Sequence, residues 1–570
     1  MKILKRGNFS DERSGAMNDT GWRKKPLARA IVISNCWLLI VSASAPLYAA
    51  PPAVNALPQA ANILVNANQG AATVNTVGNT MTVNQGSNKV ILNWKSFDIG
   101  KDGKVQFVQP SAQAIALNKI GDSAASQIFG QLGANGTIYL VNNNGIIFGQ
   151  GSQVNVHSLL ASTLNIDANQ FMNSSILNAI NDNKAALEGG SAANASIIVE
   201  AGAKISTDGN SGQILMFAPN VINNGEIRSP DGQTILAASQ DRVYLTASDK
   251  DQDLRGILVE VDTGGNVTNV GQIVAERGNI TLLGLAVNQS GRLTATTSVD
   301  VNGSIRLLAR DTVSLKDTVN EKNDKTTKSL LLDDPSELPS SSHIAVATHS
   351  GTVTIGNNST TEVIADSSSG TAADAQPQNK SRIDVMGKTI AVNSGAVVSA
   401  KSGKINLTAT ATPDDPESPI ARNDSRLLID SNATLDVSGE NVELPMERRV
   451  VAVELRGDEL KDSPLQRNGV LRGKTVNVDI ATGTPLVADL SPTLAKIQKG
   501  VKERMVEGGT INLHSQGDVA FNDNATLNTA GGSITYAAGL INTTKLMTSD
   551  GRVVDIGKAD PNQRYAGIFG

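Results

Sequence analysis

Apolar residues recur along this 570-residue chain with a period of two, in short runs punctuated by Gly and Asn, and never hold a helical period for long. The alternation opens with Ile63, Val65, Val74, Val83, Val90 and Leu92. Downstream it becomes a degenerate repeat, Gly-x-Ile-x-Leu-x-Ala. The copies are Gly212/Ile214/Met216/Ala218, Gly278/Ile280/Leu282/Gly284, Gly303/Ile305/Leu307/Ala309, Gly403/Ile405/Leu407/Ala409, Gly509/Ile511/Leu513/Ser515 and Gly532/Ile534/Tyr536/Ala538. Period-two apolar positions after a Gly corner describe a strand with one buried face. Val221 and Gly225-Glu226-Ile227 match Val287 and Gly291-Arg292-Leu293 at the same offsets, which predicts a second short strand per coil. Neighbouring copies 20 to 25 residues apart (Gly212 to Gly232, Gly278 to Gly303, Gly509 to Gly532) predict single coils of an all-β, parallel β-helix. A β-sandwich uses similar strands but gives no reason for a recurring Gly-x-Ile offset. Coils of about 22 residues stacked ~4.8 Å apart set an upper bound on the order of 100 Å for the rod.

Three stretches break the pattern. Lys316 to Ser342 is charged and Ser/Asp-rich, and Ala411 to Asp424 carries Pro413, Pro416 and Pro419; both read as solvated loops. In Leu490 to Glu507, the residues Leu494, Ile497, Val501 and Met505 recur at helical spacing, which predicts a short amphipathic helix against the rod.

The densest strand-and-turn punctuation lies in Thr137 to Ile166. There Ile138–Val141, Ile146–Phe148 and Val154–Val156 are separated by Asn142-Asn143-Asn144-Gly145 and Gly149-Gln150-Gly151. With Leu92 to Gly100, Val105 to Ser111, Ala116 to Ile120 and Ser126 to Gly136, this block resembles the secretion domain of two-partner-secretion exoproteins, the filamentous haemagglutinin family. That family commonly has Asn-Pro-Asn-Gly-Ile where this chain has Asn143, and Asn-Arg-Val where it has Asn118-Lys119-Ile120. Replacing Pro by Asn143 removes a fixed φ but keeps a residue tolerant of turn geometry. Segments near Ala433, Val453, Ser463 and Gly551 extend the resemblance over nearly the whole chain, although family members are often several times longer.

The resemblance implies a right-handed parallel β-helix. It divides the chain into a signal peptide at 1–49, a haemagglutination-activity or secretion domain at 50–310, and continuing β-helix with polar insertions at 311–570. It also implies that a TpsB-type outer-membrane transporter recognises the secretion domain through POTRA domains. Asn118, Asn142, Asn143, Asn144, Gly145 and Ile146 are the expected secretion-motif residues, holding a turn the domain needs. The implied function is a secreted or surface adhesin, acting on a host glycan or receptor as a monomeric rod. A polysaccharide-active β-helix and the truncated stalk of a toxin-delivery protein are the alternatives.

Composition agrees with stacked narrow coils: 40% of residues are hydrophobic but only 3% aromatic, and 52 are Gly. Aromatic anchors carry much of the burial in compact domains, whereas repeat coils contact only their neighbours. The basic Arg23, Lys24, Lys25 and Arg29 precede the apolar run Ala30 to Val41, small residues and Leu47-Tyr48-Ala49, which is the pattern of a secretory signal cleaved after Ala49. About twelve apolar residues are too few to span a bilayer. Met17 offers an equally good, more compact start. Cys36 is the only cysteine, so the mature chain has no disulfide or thiolate chemistry.

Removing residues 1–49 leaves 41 Lys/Arg against 51 Asp/Glu, a net charge of −10. With no basic patch interleaved with aromatics, nucleic-acid binding is disfavoured, and mild acidity suits a soluble extracellular fibre. The chain stops at Gly567-Ile568-Phe569-Gly570 without a polar cap, and we expect a shortened product on that ground.

No cofactor, metal or catalytic group is expected. His157, His343, His349 and His514 are scattered without ligand spacing. A β-helical lyase needs acidic Ca²⁺ ligands and a basic residue on adjacent coils, but Asp333-Asp334 and Asp414-Asp415 each precede Pro and read as loop residues. Arg456-Gly457-Asp458 is a tripeptide that can serve as an integrin ligand. Here the alternation around it predicts a strand rather than an exposed hairpin tip, so incidental occurrence is the stronger reading.

Overall fold

The computed structural model describes residues 50–61, 70–209, 211–248, 256–317, 343–366, 368, 370–374, 380–417, 422–482 and 487–569. The expected signal peptide with Ala49, the positions Ile63 and Val65, and most of Lys316 to Ser342 lie outside them. Pro51 to Gly570 form one compact unit. The boundary expected at 310 falls inside the strand Ser304–Asp317.

Each coil visits three parallel sheets in turn. Sheet one stacks Lys89–Ser96, Ile115–Ile120, Thr137–Asn142, Ser158–Ser162, Gln213–Ala218, Gln233–Ala238, Asn279–Gly284, Ser304–Asp317, Arg382–Gly387, Lys404–Ala409 and Thr510–Ser515. Sheet two runs from Ser126–Ile128 through Ile146–Phe148 to Asp518–Phe521, and sheet three from the hairpin Ala72–Val77/Thr80–Gln85 through Gln153–Val156 to Thr526–Asn528. Five of the six Gly-x-Ile copies are sheet-one strands, and they stack in register: Ile280 faces Ile305 and Leu407 faces Leu513. Alternate side chains point into one continuous core, where Leu282, Leu307, Val385 and Leu407 are buried. With 13 strands in its longest sheets, the stack is about 60 Å long, well under the sequence-based upper bound.

The difference lies in the excursions. Gln213 pairs with Gln233, Asn279 with Ser304 and Arg382 with Lys404, which are coils of 20, 25 and 22 residues. Between them Gln233 pairs with Asn279, Ser304 with Arg382 and Lys404 with Thr510, so 46, 78 and 106 residues separate neighbours that touch. Several of the intervening segments fold against the outside of the stack. The antiparallel sheet Leu187–Glu188/Arg242–Ser248/Gly256–Val261 and the helix Ala168–Asn173 cover the outer face of sheet one. There Leu117, Val141, Leu160, Leu215 and Ile235 form a second core with Phe171, Leu245 and Val259. Sheet one is therefore buried on both faces across its middle strands, Gln213–Ala218 to Asn279–Gly284, and Ile214 to Ala218 reads as an unbroken apolar run rather than an alternation.

The repeat glycine is required by close approach. A Cβ on Gly232 would fall on the carbonyl oxygen of Gly212, and one on Gly509 on that of Gly403. Gly232→Ala should therefore destabilise the fold by about 1–3 kcal/mol, read as a lowered urea midpoint; an unchanged midpoint would contradict this account of the repeat.

Three expectations are corrected. The sixth copy does not join sheet one: Ser533–Tyr536 pairs instead with Asn441–Leu444, which had itself turned aside before the long excursion. The helix expected over Leu490 to Glu507 is two single turns, Ser491–Leu494 and Val501–Arg504. Lys499–Gly500 between them is drawn into antiparallel pairing with Ala372–Ala373, which interrupts the helix, while Val501 and Met505 bury against Val299. The strand around Arg456 ends at Glu454. Leu455 and Leu460 are both anchored in a side core, so the residues between them bow outward and Arg456-Gly457-Asp458 sits exposed in a turn. The Pro413 to Pro416 segment is a loop, as expected.

Candidate functional site

Thr137–Asn142 ends sheet one and Ile146–Phe148 begins sheet two, so Asn142 to Gly145 must turn a corner of the coil within four residues. The Gly145 amide donates to the Asn142 carbonyl at 3.1 Å, closing a β-turn. The Asn142 side chain is fully buried. Its Oδ1 accepts from the Asn144 amide at 3.0 Å, an Asx turn, and its Nδ2 donates to the Ala124 carbonyl and to Ser126 Oγ, both at 3.0 Å. One side chain thus shapes its own corner and ties it to the preceding coil.

The neighbours divide the remaining work between coils. Asn144 Nδ2 donates to the Asp122 carbonyl of the preceding coil at 2.7 Å. Asn143 Nδ2 reaches forward to the Thr163 carbonyl at 2.7 Å and to Asn165 Oδ1 at 3.2 Å, and the Asn143 carbonyl accepts from Ala192. A proline at 143 has no such amide, so Asn143 adds contacts here. Gly145 has φ +120°, and a Cβ there would meet the Ser196 carbonyl oxygen at 2.8 Å. Ile146 is fully buried and pairs with Ser126 below and Ile197 above.

Asn118 belongs to the same sheet but not to the turn. It faces Leu140, while Asn142 faces Ile120. Buried in the core, Asn118 accepts from the Trp94 indole at 2.9 Å and donates to the Ala116 and Tyr139 carbonyls at 3.1 Å. Trp94 packs edge-on to Phe97, with ring centroids 5.4 Å apart. A buried indole N–H needs a partner, and Asn118 supplies it.

A second polar column did not emerge from the sequence pattern. Asn223 Nδ2 donates to Asn269 Oδ1 at 2.8 Å, and Asn269 Nδ2 to Gln289 Oε1 at 2.7 Å, all three buried. Asn223 Oδ1 also accepts from the Gly225 amide, and Gln289 Nε2 donates to the Gly291 carbonyl, so each caps its own corner. The signal is an amide residue two before a repeated glycine: Asn223/Gly225, Asn269/Gly271 and Gln289/Gly291.

Beside the Asn143–Asn165 contact opens a polar cleft of about 960 Å³, lined among others by Lys119, Asn165, Asp167, Lys184 and Glu188. Lys89, under the adjoining helix, donates to the Phe171 carbonyl at 2.7 Å and lies over the Phe171 ring; burial lowers its ammonium pKa.

The remaining candidate chemistry is dispersed. His157 Nδ1 lies 3.1 Å from Asp208, His349 Nδ1 2.6 Å from Asp311, and His514 Nε2 2.9 Å from the Pro416 carbonyl. Among the described residues no group of three or more His, Cys, Asp or Glu is placed to hold a metal ion, and no helix is long and apolar enough to cross a membrane. Arg456 is paired to Glu454 at 2.5 Å, which raises its pKa.

The asparagine turn lies within the stretch that matches a known family model. Residues 61–324, a little under half of the chain, match the model of the TPS secretion domain. The chain is similar to a heme/hemopexin-binding protein of Haemophilus influenzae strain Rd, at 43% identity over 111 residues, which are 20% of this chain and 12% of that protein. A second Haemophilus influenzae protein of the same description is 48% identical over 92 residues, 16% of this chain and 10% of its own length. The matches thus span about a tenth of these relatives. Among solved structures, the HMW1 secretion domain from Haemophilus influenzae aligns over 66% of this chain and 84% of its own, at 22% identity and a TM-score of 0.46.

Proposed function

We propose that residues 50–310 are the part of the chain read by a dedicated TpsB-type outer-membrane transporter, through its POTRA domains. On this reading a Sec signal at 1–49 is removed after Ala49 and the β-helix completes its folding outside the cell. The observation that carries the proposal is the buried Asn142 corner, with its ties to the coils on either side, inside the segment that matches the secretion domain. Outward movement has a physical source: each coil added to the stack buries apolar side chains and pairs a strand edge. The folded product is a surface-binding, adhesin-like protein rather than an enzyme, with a host glycan or receptor as partner. The match of residues 61–324 to the TPS secretion domain supports the export part of that reading; a polysaccharide-cleaving rod and a toxin stalk are the alternatives. The relatives' heme and hemopexin binding is not carried over, because the shared stretch is a tenth of each of them.

The test is expression in a Gram-negative host with and without the cognate transporter. Full-length protein should reach the medium only when the transporter is present, with the signal-cleaved chain left in the periplasm otherwise. Equal extracellular yield in both strains would end the proposal.

A further inference from the structure

One stretch of sheet three is hollowed on its outer face. Lys104–Val108, Gln131–Ala134, Gln153–Val156, Lys204–Thr207 and Glu226–Arg228 are consecutive rungs, and their outward positions form two columns. Lys104, Gln131, Gln153, Lys204 and Glu226 stand in one, Gln106, Gly133, Asn155, Ser206 and Arg228 in the other. Two cavities, of about 280 and 390 Å³, open on this face and share Gln153 and Asn155 as lining. Together they make one trough along the rod axis, about 19 Å from first rung to last.

The second column is low because Gly133 has no side chain and Ser206 a short one. A glycine inside a strand marks a bulge or a close approach. Gly133 is not at a bulge, since it pairs in unbroken register with Gln106 and Asn155. A Cβ there would fall on Gln106 Oε1, so the glycine lets the Gln106 amide lie across the floor of the trough. Ser206 Oγ donates to Asn155 Oδ1 at 2.7 Å, which holds that amide in place. Gln131 and Gln153 carry no side-chain hydrogen bond among the described residues and are open to a ligand.

The charges beside these amides are largely engaged. Lys204 lies 3.4 Å from Glu226, and Arg228 is paired with Glu276 of the next coil. Apart from Lys104 at the first rung, what is left is a row of neutral amides and a hydroxyl, each carrying both a donor and an acceptor. A carbohydrate hydroxyl is likewise both, and one rung, about 4.8 Å, is close to the length of a pyranose unit in an extended glycan. Other occupants fit less well. A peptide adds to an open sheet edge or seats apolar side chains in pockets, but all five rungs are paired on both sides, and Leu132 and Ile205 beneath them are buried. Single-stranded nucleic acid is held by aromatic stacking, and no aromatic side chain lines the trough.

We propose that this trough binds a neutral, extended oligosaccharide of about four units, lying along the rod with its hydroxyls on Gln106, Gln131, Gln153 and Asn155. The inference rests on the surface-binding part of the function proposed above, and gives it a site and a ligand class. Because five coils must stack to form it, the trough belongs to the folded protein and not to a chain in transit.

Isothermal titration of the purified protein with cellotetraose and with tetra-N-acetylchitotetraose, both extended β-1,4-linked chains, tests this. At least one should bind with a Kd of about 1 mM or tighter. Gln153→Ala with Asn155→Ala should weaken that binding at least fivefold, with the melting temperature unchanged because both side chains are exposed, and Gln131→Ala alone should weaken it at least twofold. Gln272→Ala, one rung beyond the trough, should bind as the unaltered protein does. Binding that ignores the substitutions at 131, 153 and 155 would overturn this site while leaving a glycan-binding protein. No binding of either sugar at about 10 mM, or tighter binding of a sulfated tetrasaccharide, would overturn the ligand class. Both results are read on purified protein, so they stand apart from the transporter experiment, whose failure would end the export reading alone.

Discussion

Asn144→Ile combined with Gly145→Val should reduce extracellular protein by at least tenfold while signal cleavage proceeds normally. The expectation comes from two independent losses at one corner. Valine at 145 is strained at φ +120° and its Cβ presses on the Ser196 carbonyl of the next coil. Isoleucine at 144 removes the bond to the Asp122 carbonyl of the preceding coil. The Asn142 side chain, fully buried, then caps a turn that cannot close, and an unsatisfied buried amide costs about 1–3 kcal/mol. Comparing culture supernatant with periplasm, each probed for the signal-cleaved chain, decides the matter. Normal yield in the supernatant would show that the corner is dispensable for export.

The second large effect is expected where the outer antiparallel sheet meets the stack. Glu260 and Arg310 are both buried, and the guanidinium binds the carboxylate through Nε at 3.1 Å and through Nη2. Arg310→Ala should lower the unfolding free energy by about 3–5 kcal/mol, because it strands a buried carboxylate. Replacing both residues by Met and Leu should recover most of that loss. Burial already pushes the Glu260 carboxyl up, with Arg310 opposing, and in the single variant that opposition is gone. A carboxyl whose folded pKa exceeds its unfolded one holds its proton more tightly when folded. The deficit should therefore shrink as the pH falls toward the ordinary carboxylate range and be largest above the raised pKa. Urea titrations at several pH values give both results; a loss in the single variant independent of pH would contradict the assignment.

How far the fold was legible depended on which neighbours a residue meets. The Gly-x-Ile-x-Leu repeat disclosed sheet one because both its signals are local: alternation along a strand, and a glycine whose Cβ place is taken by the carbonyl of the coil before it. The Asn142 corner was legible for the same reason, since Asn and Gly at that spacing answer to a turn closed within four residues. The fate of the sixth copy was not legible. Gly532/Ile534/Tyr536 carries the same local pattern, but its partner is decided by Asn441–Leu444, more than ninety residues earlier. The Arg456 turn failed differently, because two buried leucines five residues apart, Leu455 and Leu460, break the alternation by anchoring the segment at both ends. Asn118 could be suspected from the family motif, but its bond to Trp94 lies across a coil boundary that no single-strand pattern expresses.

The uneven spacing of stacked strands sets a rhythm for any folding that follows the chain from its N-terminal end. A plain coil such as Arg382 to Lys404 can close once about 75 Å of extended chain has emerged, whereas Lys404 must wait for Thr510, about 360 Å of chain later. The entropy of closing that longer loop adds only about 1.4 kcal/mol, so the rung still forms. What changes is the step: a chain drawn outward by its own folding would advance in short pulls over most of the stack and then pause, slack, until the longest excursion has cleared.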